Sequence, residues 1–242
     1  QAMAVGNHEF NKGPAALGEF VDSVNFPVVS ANMDATREPA LAGKIKPYTI
    51  LDVGEQKIGV IGLTTIATPE KSNPGPNILF EDYATAVKPA IAELEQQGVN
   101  KIIVLSHIGY LEDQALAASV DGIDVIVGGD SHTLLSNTAA DASGPYPTVV
   151  NAPDGSPVLI VQAGQYGKYL GDLDVTFDGN GAPVRWQGDP ILLDATIPED
   201  PEVLAEVQKL AKPLEDLRNQ VIGTTTDKQE EYGFVLPFLV CP

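Results

Sequence analysis

Two short runs constrain this sequence more than anything else in it: KIIVLS at 101–106 and IDVIVG at 123–128, each with an uninterrupted apolar centre. A strand wetted on one face alternates apolar and polar residues, whereas a strand covered on both faces need not. The runs therefore ask for a sheet buried between layers. The segment between them reads as a helix over 111–120, the crossover that parallel strands need. The same rhythm extends upstream, with a strand end at 2–6, a helix over 14–22 and a strand at 28–31. A hairpin at 48–53 and 57–64 follows, then a helix over 82–97 that Gly98 stops. Downstream, 130–156 reads as a Gly/Ser/Pro-rich loop long enough to suggest a function. Strands are expected at 158–163, 169–177 and 184–192, then a charged amphipathic helix over 201–221, bent at Pro213. The expected class is α/β.

Charge narrows the function. Fourteen basic residues against 33 acidic ones give a formal charge of −19 over 242 residues. Such a field repels nucleic acid and anionic membrane surfaces, but it admits a small phosphorylated substrate if bound cations reverse the local sign. No apolar stretch approaches the roughly 18 residues of a membrane span, so membrane insertion is not expected. The single cysteine, Cys241, cannot form an internal disulfide. The opening QAMAVG reads like the interior of a strand, so a longer parent is expected.

The three histidines have similar settings. His8 follows AMAVGN, His107 follows KIIVLS and His132 follows IDVIVGGDS, each just past the carboxyl end of an apolar strand, where open α/β sheets place ligands. One such histidine would ordinarily be structural; all three in that position point to a site. Asn7, Ser106 and Asp130 stand beside them, and mixed amide, imidazole and carboxylate donors suit divalent metals such as Zn or Mn. Gly128-Gly129 permits the sharp turn that would bring Asp130 and His132 toward one point. Glu9 reads better as a structural or supporting residue than as a general base. Tyr110, Tyr166 and Tyr169 could border the site but read better as core or surface packing residues. IGVIGLTT lacks the lysine of a phosphate-cradling loop, and no GxSxG elbow is present.

GNHEF at 6–10, SHIGY at 106–110 and GGDSHT at 128–133, with FPVVSANMD, IKPYTIL, IGVIGLTT and GQYGKYLGDLDVTF in the same order, resemble the 5′-nucleotidase family of metallophosphoesterases. The resemblance implies a calcineurin-like αββα four-layer sandwich with mixed sheets. It implies two divalent metal ions (Zn, Mn, Mg, Ca or Co), with Asn7, His107 and Asp130 ligating one and His132 the other. Asn7 and His8 would contact the substrate, and His8 would stabilise charge on the transferred phosphoryl group. The implied reaction is attack of a metal-bound hydroxide on a phosphoric ester, foremost a nucleoside 5′-monophosphate. A broad alkaline-type phosphatase, a cyclic phosphodiesterase and a non-catalytic binding module of the same fold are the alternatives.

This chain departs from the family pattern at three places. The family's opening Asp-x-His and Gly-Asp motifs, which supply the remaining ligands, do not precede Gln1. Asp130 stands where histidine is common. Asn11 stands where aspartate usually orients and charges the histidine; as a catalytic partner of His8 it can orient the ring but cannot hold it as a cation. The expected organisation is a catalytic domain over 1–226 lacking its first metal-binding motifs, with 227–242 starting a linker or a nucleotide-binding domain. The family implies a periplasmic or extracellular parent.

Overall fold

A computed structural model of the chain describes residues 1–220. The expectations for 227–242 and for Cys241 lie outside those residues. The chain divides into two units, Gln1–Leu193 and Asp194–Pro242, and each is described by itself.

In the first unit β1 (Met3–Ala4) leads into a 3-10 turn at Asn7–Phe10 and then α1 (Gly13–Ser23), β2 (Val28–Val29) and β3 (Met33–Asp34). The hairpin β4 (Tyr48–Val53) and β5 (Gln56–Thr64) follows, then α2 (Thr68–Lys71), β6 (Leu79–Phe80) and α3 (Tyr83–Gln96). Next come β7 (Ile102–His107), α4 (Tyr110–Ala117), β8 (Val125–Val127), β9 (Thr148–Asn151) and β10 (Pro157–Val161). Four short strands close the unit: β11 (Tyr169–Leu170), β12 (Leu173–Phe177), β13 (Pro183–Gly188) and β14 (Ile191–Leu192).

The two continuous apolar runs become β7 and β8, central strands of a six-stranded sheet ordered β4-β5-β7-β8-β10-β9. β5, β7, β8 and β10 run parallel, and the edge strands β4 and β9 run antiparallel to their neighbours. One face, carrying Ile61, Leu63, Ile102, Val104, Ile126 and Ile160, packs against Val87, Ile91 and Leu94 of α3 and Leu116 of α4. Asp82 caps α3 by accepting from the Thr85 amide at 2.9 Å, which satisfies one of the donors a helix start leaves open. Against β5 and β7 lies the parallel pair β1–β2. Beyond that pair α1 closes a second core of Val5, Phe10, Leu17, Val28, Leu41 and Ile78. The layers are thus helices, mixed sheet, strand pair and helix, the expected sandwich.

Gly62 on β5 allows this close stacking. A Cβ there would collide with the Val29 carbonyl oxygen, an overlap no side chain tolerates, while the Gly62 carbonyl accepts from the Ala31 amide at 2.7 Å.

Several expected elements differ. The span 169–177 is broken between β11 and β12, where a Cβ on Gly171 would lie 3.0 Å from the Tyr146 hydroxyl. The span 184–192 is broken at Asp189-Pro190, because proline cannot donate to a strand ladder and the Asp189 carboxylate instead accepts from the Asn137 amide and the Ser136 and Thr138 hydroxyls. The expected loop at 130–156 contains β9, which pairs with β10. The short pair β3–β6 and the helix α2 had no periodic signal at all.

In the second unit α5 (Pro201–Arg218) starts on Asp200, whose side chain accepts from the Glu202 and Val203 amides. Val203, Val207, Leu210, Leu214 and Leu217 recur along it at alternating spacings of four and three. The described residues contain no helix long and apolar enough to cross a membrane.

A candidate metal centre at the strand ends

Because β5, β7 and β8 are parallel neighbours in register, with Thr64 opposite His107, their carboxyl ends share one rim, and whatever follows each strand is delivered there. The Asn7–Phe10 turn comes to the same rim from β1. Its fold is local: Glu9 Oε2 accepts from the Gly6 amide at 2.6 Å, so Glu9 is spent on holding the turn. A Cβ on Gly6 would lie 3.0 Å from Cε1 of His107, so this glycine lets the turn sit directly on the imidazole.

Three of the residues singled out from the sequence meet here. The side-chain oxygen of buried Asn7 is 2.9 Å from Nε2 of His107, and Oδ1 of Asp130 is 3.6 Å from the same nitrogen. Burial holds the His107 imidazole below its usual range; Asp130 and Glu9 oppose that shift, and Lys71 and His8 add to it. Neutral imidazole is the form that can ligate a metal.

Asp130 and His132 both have left-handed backbones, at φ 68° and 57°. Such a conformation costs free energy in a non-glycine residue and persists only where the surroundings enforce it. Here the enforcing group is Gln162, at the end of β10. Its buried side chain donates to the Gly129 carbonyl at 2.8 Å and accepts from the Ser131 hydroxyl at 3.0 Å and from the Thr133 amide. Ser131 also accepts from the Tyr110 amide at 3.0 Å.

His8 is exposed beside this centre. Its Nδ1 is 3.1 Å from Nδ2 of Asn11, and Oδ1 of Asn11 accepts from the Ser72 hydroxyl at 2.9 Å. Oδ1 of Asn11 also lies 3.3 Å from the same Nδ1, so the amide orients the ring of His8 from one side. A cleft of about 470 Å³ opens alongside, lined by His8, Glu9, Asn11, Lys12 and Phe20. A larger hollow of about 510 Å³ lies under β12, walled by Ile103, Val125, Val161 and Leu173, and holds none of the candidate ligands.

His132 stands apart. Its ring lies 5.9 Å from that of Tyr166, a residue 83% exposed and itself at φ 59°. Among the described residues His132 makes no hydrogen bond to the other candidate ligands, and no group of three or more His, Cys, Asp or Glu side chains is placed to hold a metal. The three-residue donor set exists only because an asparagine completes it. Tyr110 packs against the core with its hydroxyl 2.8 Å from that of Thr148. Tyr166 lies against His132 at the surface and not in the core.

Four residues at the centre went unread in the sequence. Lys71 and Ser72 arrive from α2, just past the end of β5; Lys71 Nζ is 2.9 Å from both carboxylate oxygens of Asp130. Gln162 is the third. The fourth is Asp113 of α4, fully buried, which accepts from the Ser106 hydroxyl at 2.5 Å and leaves Oδ2 with no partner. Burial pushes its carboxyl up to about 7. A Cβ on Gly128 would run into that Oδ2, so the residue before the ligand turn must be glycine.

The fold and this rim place the chain in a class. A calcineurin-like phosphoesterase of Bacillus subtilis superposes with a TM-score of 0.70 at 25% identity, over 90% of this chain and 72% of its own. The chain has the calcineurin-like phosphoesterase fold. No family profile matches the sequence. The 5′-nucleotidase of the ray Diplobatis ommata is 45% identical over 231 residues, 93% of this chain and 40% of its own length. The structure of a 5′-nucleotidase precursor from Thermus thermophilus is 47% identical with a TM-score of 0.88, over 92% of this chain and 45% of that one. Over nearly all of its length the chain is similar to one part of these 5′-nucleotidases. It spans about 40% of the length of the curated relatives it matches.

Proposed function

We propose that this chain carries the metal-binding half of the active site of a hydrolase releasing phosphate from nucleoside 5′-monophosphates. The observation that carries the reading is the convergence of Asn7, His107 and Asp130, with His8 beside them, at the carboxyl rim of β7 and β8.

The donors fit one divalent cation. Amide oxygen, imidazole nitrogen and carboxylate oxygen reach the rim from three separate segments, and the carboxylate already attracts a cation, the Lys71 ammonium. Among the described residues they do not complete a second site, for which His132 alone is a candidate. A bound divalent cation supplies Lewis acidity toward the phosphoryl oxygens and makes water a better nucleophile at neutral pH.

The chain's own residues do the rest. Asn7, His107 and Asp130 hold the ion, and Gln162 holds the turn that aims Asp130. His8, its ring oriented by Asn11, donates to a phosphoryl oxygen as negative charge grows there. The acidic remainder of the surface disfavours polyanionic substrates. Selectivity for base and sugar is assigned to the part of the longer relatives that this chain does not match. The relatives include snake venom 5′-nucleotidases, which supports a parent working outside the cytosol.

The test is phosphate release from AMP and from p-nitrophenyl phosphate during titration with Mn²⁺ or Zn²⁺, alongside metal content by elemental analysis. Preferential release from AMP with metal bound is the expected result. Equal release from both substrates would instead mark a broad phosphatase. No bound metal and no release at any concentration would leave a binding module of the same fold.

A further inference from the structure

We propose that Lys71 is a built-in counter-cation that competes with the divalent metal for Asp130 and so sets the affinity of the centre. The inference rests on the metal reading above. Lys71 Nζ lies 2.9 Å from each oxygen of the Asp130 carboxylate, so the ammonium neutralises the charge that would draw a metal and repels an incoming one. The Asp130 side chain is only 15% exposed, its backbone is held in the left-handed region, and the buried carboxyl of Asp113 feels its charge. A carboxylate so placed cannot turn away to water when no metal is bound. It needs a positive charge, and Lys71 supplies one.

The placement of Lys71 is also built. It is the last residue of α2, and the next residue, Ser72, donates to Asn11 at 2.9 Å. The short helix is therefore anchored on both sides of the centre, one link reaching the ligand Asp130 and the other the partner of His8. The remaining donors satisfy each other in the same way, His107 Nε2 against Asn7 Oδ1 at 2.9 Å. Metal entry must undo both contacts, and a displaced ammonium still repels the incoming ion at short range.

Two effects of opposite sign follow from removing the charge. Metal-free protein loses the cation that compensates Asp130 and melts at a lower temperature. Metal binding no longer has to displace that cation and becomes tighter. A surface ion pair with a purely structural role would produce the first effect alone.

The experiment measures Mn²⁺ binding to the full chain by electron paramagnetic resonance of the free ion, for the wild type, Lys71→Met, Lys71→Gln and Lys71→Arg. Lys71→Gln guards against misfolding of the apolar variant. Both neutral variants should bind Mn²⁺ roughly three- to tenfold more tightly, with a lower melting temperature in EDTA, and Lys71→Arg should stay close to the wild type. Unchanged or weaker binding by both neutral variants, with wild-type binding intact, would overturn the role of Lys71 and leave the metal centre standing. Absence of Mn²⁺ binding in every protein, wild type included, would overturn the metal reading together with it.

Discussion

Replacing Asp113 with asparagine should change the slope of stability against pH. The Asp113 carboxyl is fully buried, accepts one hydrogen bond from Ser106, leaves Oδ2 unpartnered, and is raised from 3.8 to about 7. The folded-state value lies above the unfolded one, so as pH rises the unfolded chain releases this proton first. Stability from this group is therefore complete below about pH 4, falls across the interval up to about 7, and is constant above it. Each pH unit in that interval costs about 1.4 kcal/mol, for a ceiling of about 4 kcal/mol. The substituted side chain would not titrate. Its amide, buried where Oδ2 now sits, costs about 1–3 kcal/mol at every pH. Asp124, also raised to about 7 by burial, contributes equally to both proteins and cancels in the difference. Urea unfolding in EDTA at half-unit steps from pH 4 to 8 should give curves that converge and then cross, the variant less stable at the acid end and equal or more stable at pH 8. Parallel curves would refute the reasoning, since they would mean that Asp113 is ionised in the folded protein.

Other substitutions separate the roles at the rim. Asn7, His107 and Asp130 share one centre while His8 faces outward beside it, so His107→Ala should weaken Mn²⁺ binding at least about tenfold. His8→Ala should leave Mn²⁺ binding near wild type and lower kcat about 100-fold, a typical loss for one transition-state donor; loss of metal on His8→Ala would reverse the division of roles. Asn11→Asp keeps the acceptor for Ser72 and places a carboxylate against Nδ1 of His8. It should favour the imidazolium and raise kcat severalfold between pH 6 and 7 without altering metal affinity, a change that a pH–rate profile would detect.

What could be read in the sequence was what a residue type reveals at its own position. The uninterrupted apolar centres of β7 and β8 identified buried strands, and three histidines at strand ends are conspicuous in a chain holding only three. Lys71 and Ser72 gave no such signal: a lysine and a serine in TPEKSN look like a solvated turn. Their importance comes from sheet order, which sets the end of β5 beside β7 and so near the turn after β8. Gln162 is one polar residue after a strand until β10 is known to pair with β8. The left-handed backbones of Asp130, His132 and Tyr166 were likewise unreadable, because no local pattern demands a positive φ of an aspartate, a histidine or a tyrosine. Asp130 and His132 share one turn, and Tyr166 lies against the ring of His132. Random strain would be scattered over the molecule. Its concentration in the loops after β8 and β10 implies that the fold enforces this geometry, and a ligand turn fixed before any metal arrives spares the cost of ordering it at binding.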